Sequence, residues 1–143
     1  RDRSPSRGLG DVYKRQDLVC PYAMMRLAGA YANGGTVVEP SLLGQSSKTT
    51  QLVLADTAQK IASMMNYNVV YHYGQNRFPG LNISAKTGTA EVGDGKAAHG
   101  WFVGFLNDEE HPYAFVCLVE NGGSGLGAAG SVINTVLQAA VAK

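Results

Sequence analysis

The hydrophobic pattern changes period partway along the chain of 143 residues, and that change limits its possible folds more than any other feature. Before the polar stretch Gly74–Pro79 the apolar residues recur at helical spacing; after it they form short extended runs. Asn82–Glu91, Gly100–Asn107 and Pro112–Asn121 read as three strands. The links between them, Val92–Lys96 and Asp108–His111, are short and polar, so the strands are expected to form an antiparallel meander. Trp101–Leu106 and Tyr113–Val119 are apolar at successive positions, not alternating ones, which predicts a sheet covered on both faces.

The covering elements are read from the flanks. Pro21–Asn33 is a predicted helix, with Pro21 at its first position and Met24, Leu27, Ala28 and Tyr31 on one face. Gly34-Gly35 stops it and leads into a short extended run, Thr36–Pro40, then a polar loop, Gly44–Gln51. A second helix starts near Asp56, with Gln59 as its capping-box partner and Ala58, Ile61, Ala62 and Met65 as its buried stripe. A glycine-rich turn, Gly122–Gly127, precedes a last helix over Ala128–Ala142. The expected class is therefore α/β, with a mainly antiparallel sheet and helices on both faces.

The formal net charge of +1 hides an uneven distribution. Of twelve basic and eleven acidic side chains, five and two lie in the first sixteen residues, which leaves the remainder at −2. A body so near neutrality offers no broad footprint for nucleic acid, and none is expected as a partner. The basic head, residues 1–16, is similar to a translated sequencing adapter and is expected to be non-native; residues 17–143 are taken as the protein proper. Cys20 and Cys117 lie far apart and the histidines are scattered, so buried free thiols and no metal site are expected.

The segment with the clearest chemistry is Lys86-Thr87-Gly88-Thr89-Ala90, inside the first strand of the meander. An ammonium and two hydroxyls along one strand suit a carboxylate, and each hydrogen bond to a charged group contributes about 1.5–3 kcal/mol. Gly88 leaves room for another backbone to come close. The plain alternative is a solvated edge strand with one lysine and two β-branched residues. The flanks argue against it. Gly100-Trp101-Phe102-Val103-Gly104-Phe105 follows after a hairpin, Tyr31-Ala32-Asn33-Gly34-Gly35 comes before, and Val119-Glu120-Asn121-Gly122-Gly123 comes after.

Taken together these segments resemble penicillin-binding proteins and serine β-lactamases from Pro21 to Lys143. The resemblance implies a five-stranded sheet, of which this chain carries three strands, truncated at the N-terminus. It implies a parent protein that is a peptidoglycan D,D-transpeptidase, binding penicillin and D-Ala-D-Ala peptides, with no cofactor. Lys86, Thr87, Gly88 and Thr89 would then bind substrate. Lys86 would act in catalysis through its field, and the Thr89 backbone N–H as an oxyanion donor, a kind of group that is typically worth about 2.7–4 kcal/mol in the transition state. Implied partners are peptidoglycan stem peptides, β-lactams and the cell-wall synthesis machinery. The parent would be membrane-anchored on the extracytoplasmic face of the bacterial cell membrane. A serine β-lactamase, a β-lactam sensor and a non-catalytic peptide-carboxylate binding module are the alternatives.

The sequence departs from the family at the nucleophile. No serine has a lysine three residues later and no S-x-N triplet occurs, so these residues alone are expected to be inactive. Tyr31-Ala32-Asn33 fits a Y-x-N variant but reads better as a helix stop. Gly125-Leu126-Gly127-Ala128-Ala129-Gly130 spells a dinucleotide fingerprint, yet it follows an antiparallel strand and lacks a distal acidic residue. Close packing of the last helix on the sheet explains those glycines instead.

Overall fold

The structure, a computed structural model, describes residues 19–41, 48–93 and 95–142. The basic head, for which a non-native origin is expected, lies outside the described residues. Helix α1 (Pro21–Ala32) is followed by β1 (Thr36–Val38), β2 (Thr49–Gln51) and α2 (Ala55–Tyr67). Strands β3 (Ile83–Ala90), β4 (His99–Leu106) and β5 (Ala114–Val119) then form one antiparallel sheet in the order β3-β4-β5. Helix α3 (Ser131–Val141) ends the described chain. The meander, the helices and the mixed α/β class are as the sequence reading has them.

Both faces of the sheet are covered, for the reason the apolar runs gave. Side chains alternate along each strand, so β4 sends Phe102 and Leu106 to one face and Val103 and Phe105 to the other. On the first face Phe102 is fully buried between Phe78 and Phe115, with ring centroids 5.6 and 5.8 Å away, and Ile133 and Leu137 of α3 close over them. On the second face Ala28 of α1 and Met65 of α2 pack on Phe105, with Ile61 and Tyr31 beside them.

Several local readings change. The polar stretch Gly44–Gln51 was expected to be a loop throughout, but Thr49–Gln51 is β2, paired antiparallel with β1. Its three residues are all exposed, so no apolar pattern marks it. No capping box forms at Asp56: the N-cap is Leu54, without a side-chain cap, and Asp56 lies in the first turn. Helix α2 runs on as a π-helical turn, Asn68–Gly74, and a short 3-10 turn, Gln75–Arg77. A second π-helical turn, Gly125–Gly130, leads into α3. Cys117 is half-buried and desolvation raises its thiol pKa, but Cys20 is exposed, against the expectation that both are buried.

Candidate functional site

Strand β3 has β4 on one side and, among the described residues, no strand on the other. In an antiparallel ladder alternate residues turn their N–H and C=O groups to opposite sides. The Leu106 N–H donates to Tyr113 O, so Leu106, Gly104 and Phe102 face β5, while Phe105, Val103 and Trp101 face β3. Their register partners Ser84, Lys86 and Gly88 are therefore bonded to β4. Ile83, Ala85, Thr87 and Thr89 must turn their backbone groups outward. Two bonds agree with this assignment: Asn66 Nδ2 donates to Ile83 O at 3.0 Å, and the Thr87 N–H donates to the Tyr73 hydroxyl at 3.1 Å.

The four candidate residues thus follow one another on an edge strand, Thr87 and Thr89 with outward backbone groups and Lys86 and Gly88 bonded to β4. Lys86 is exposed, and its side chain starts on the α1–α2 face, where it curls back so that Nζ donates to Thr87 O at 2.7 Å. Thr87 is half-buried and its Oγ1 lies 3.2 Å from the Tyr73 hydroxyl. Gly88 is half-buried, and a Cβ there would stand 3.2 Å from the Trp101 Cβ. Thr89 is exposed, and among the described residues nothing caps its outward N–H. One ammonium, one half-sheltered hydroxyl, one exposed hydroxyl and one free amide therefore line a short stretch of edge. Groups of this kind hold an anion or a developing oxyanion.

The strand is held from behind. The turn before α3 reaches it through Gly125, where a Cβ would lie 2.7 Å from Gly88 O and 2.6 Å from Trp101 O. Close backbone approach is thus the role of Gly125, the first glycine of the dinucleotide-like motif. Beside Lys86 a cavity of about 340 Å³ opens between α1, α2 and the sheet, with Met24, Leu27, Tyr31, Met64 and Asn68 in its lining. A larger hollow of about 680 Å³ lies at the opposite end of the sheet, near Asp108, Glu109 and Pro112; it borders none of the four site residues.

Other polar and turn residues around the strand fall into structural roles. Asn33 caps α1 and its Nδ2 donates to Thr36 O, as a helix stop. Gly35, at φ 87, follows it; a Cβ there would meet Val53 O at 2.1 Å. Ser84 is buried, donating to Ala62 O at 3.1 Å and accepting from Asn107 Nδ2 at 3.0 Å, with no base beside it. The His99 Nδ1 accepts from the Asn121 N–H at 2.9 Å and so anchors the turn after β5. The residue that sequence reasoning missed is Tyr73, which meets Thr87 from 14 positions upstream. No spacing signals such a contact, because it depends on how the π-helical turn ends.

The sequence model of the penicillin binding protein transpeptidase domain matches residues 4–138, and the chain belongs to that family. Among curated proteins, it is 27% identical over 154 residues to the peptidoglycan D,D-transpeptidase PbpA of Mycobacterium tuberculosis, covering 96% of this chain and 31% of that protein. The crystal structure of M. tuberculosis PBPA superposes with a TM-score of 0.73 at 25% identity, over 89% of this chain and 34% of that one. An imipenem acyl-enzyme complex of M. tuberculosis penicillin-binding protein A gives a TM-score of 0.73 at 27% identity, over 89% of this chain and 32% of that one. This chain therefore spans about a third of the length of the curated relative it matches.

Proposed function

We propose that this chain forms the substrate-docking half of a peptidoglycan D,D-transpeptidase, and that the outer edge of β3 receives the terminal carboxylate of a D-Ala-D-Ala peptide or of a β-lactam. One observation carries the reading: the outward Thr89 N–H, uncapped among the described residues, lies on the same edge as the Lys86 ammonium and the Thr87 hydroxyl. The Lys86 ammonium and the Thr87 and Thr89 hydroxyls hold the carboxylate. That fixes the scissile carbonyl along the edge, where the Thr89 N–H donates to its oxygen as negative charge develops. Lys86 adds a positive field that favours every anionic form along the path. Gly88, without a side chain, keeps the edge open.

The nucleophile is a serine outside these 143 residues. Its oxygen adds to the carbonyl carbon and gives up its proton; the C–N bond breaks and D-Ala leaves as the amine, carrying a proton. An acceptor amine then displaces the serine oxygen and forms the new amide. The M. tuberculosis neighbour caught as an imipenem acyl-enzyme supports acylation by β-lactams. The parent protein would work with the cell-wall synthesis machinery at the extracytoplasmic face of the membrane. No helix among the described residues is long and apolar enough to cross one.

Labelling with a fluorescent penicillin tests the proposal. The full-length protein should take up covalent label, and Lys86→Ala should slow labelling about ten- to a hundredfold. These 143 residues alone should take up none. Label on the isolated chain would place the nucleophile within it and overturn the division of labour. An unlabelled full-length protein would favour a non-catalytic carboxylate binder.

A further inference from the structure

We propose that Tyr73 is a positioning residue, whose phenol makes Thr87 a hydrogen-bond donor to the ligand carboxylate and withdraws the Thr87 amide from the open edge. The inference rests on the docking role proposed for β3 and adds to it a residue from outside the strand.

The number of protons between the two side chains decides which one donates. The Tyr73 hydroxyl already accepts from the Thr87 N–H at 3.1 Å, and it stands 3.2 Å from Thr87 Oγ1. One proton lies between the two hydroxyl oxygens, so one of them donates and the other accepts. If Thr87 donates to the phenol, its oxygen is left with only lone pairs for the ligand. A carboxylate is acceptor-only and would be repelled. If Tyr73 donates, the Thr87 proton points away from the phenol and is free for a ligand. A bound carboxylate selects the second arrangement, in which the Tyr73 proton on Oγ1 fixes the Thr87 hydroxyl and strengthens it as a donor. Thr87 is also β-branched, and a fixed partner on Oγ1 holds its χ1 in one well.

The same contact decides what can dock. A peptide that paired along β3 as a further strand would need the outward N–H and C=O of Thr87. The Tyr73 hydroxyl occupies the first and the Lys86 ammonium the second. Thr89 keeps its outward N–H. The edge is therefore poorer in free groups for a passing strand at Thr87, and better suited to a chain that ends beside Thr87 in a charge. Packing holds Tyr73 in place for this role. Its ring stands edge-on to Phe102, with centroids 6.1 Å apart, at the end of the π-helical turn Asn68–Gly74.

The test measures acylation rates of the full-length protein with a penicillin and with its methyl ester, and takes their ratio. Tyr73→Phe keeps the ring against Phe102 and removes only the hydroxyl, and the carboxylate-to-ester ratio should fall about tenfold. In a Thr87→Ala background the same change should leave the ratio where Thr87→Ala alone put it. Equal slowing with both probes in Tyr73→Phe would reveal a merely structural tyrosine and overturn the inference, while a reduced ratio in Thr87→Ala would still uphold the docking edge. A ratio unmoved by Thr87→Ala would sink the docking edge itself, and Tyr73 with it.

Discussion

The two halves of β3 share one neighbour and one unbroken register, from Ile83 opposite Leu106 to Ala90 opposite His99, yet they live in different surroundings. Ile83, Ser84 and Ala85 are all buried, whereas no residue from Lys86 to Ala90 is. In the first half the outward Ile83 carbonyl is capped by Asn66, and Ser84 is tied to α2 and to Asn107. In the second half Tyr73 caps one amide, and among the described residues nothing caps that of Thr89. Half of the strand is bonded into the body, so the other half can keep its outer side open without fraying, as the docking role proposed for it requires.

The sharpest way to break this arrangement is at Gly104, opposite the buried half. A Cβ there would lie 2.1 Å from Ser84 O and 2.9 Å from the Ala85 Cα. Backbone cannot yield as a flexible side chain does, so Gly104→Ala should destabilise by about 3 kcal/mol. Urea denaturation followed by circular dichroism would read this as a large drop in midpoint. An unchanged midpoint would mean that the buried half does not anchor the strand.

A second prediction sets the halves against each other. Ser84→Ala removes a buried hydroxyl that donates to the half-buried Ala62 carbonyl and accepts from Asn107, and should cost about 1 kcal/mol. Lys86→Ala, two residues along but exposed, should change stability by no more than about 0.5 kcal/mol. Thermal melts of both variants give the comparison, and a Lys86→Ala loss equal to that of Ser84→Ala would make the lysine structural.

How far the sequence could be read follows the same division. The strands that face two hydrophobic layers were legible, because Phe102, Phe105 and Phe115 leave no solvent-facing alternation to confuse with a helix. The exposed half was legible for another reason: Lys86, Thr87 and Thr89 are polar residues in an otherwise apolar run, and the flanking glycines match a known family. What stayed hidden lacks a period. The strand β2 is short and exposed, the N-terminus of α2 uses no polar cap, and the π-helical turn adds a residue to each turn of an otherwise helical stretch. Tyr73 belongs to that last class. Its partner lies on another element, and its phase comes from a helix widening that propensity does not signal.

The smallest expected effect lies just beyond the buried half, in the turn joining β4 to β5. Asp108 Oδ2 meets His111 Nδ1 at 2.8 Å, and its other oxygen accepts from the Glu110 N–H at 2.9 Å. The hydrogen bond from His111, and then that from Glu110, hold its carboxyl below the usual range. A carboxylate with a depressed folded pKa stabilises above its unfolded pKa, and the contribution is lost as pH falls through the folded value. The turn should therefore hold at neutral pH and loosen below about pH 4, the ordinary carboxylate range. Because the pair is open to water, the change should be slight and weaker still in high salt. Asp108→Asn should lower stability slightly at pH 7 and flatten the acid limb of the melting curve, while β3 stays bonded through Ser84. An acid limb as steep in Asp108→Asn as in the parent would assign the titration to another carboxylate and leave this turn held by its backbone alone.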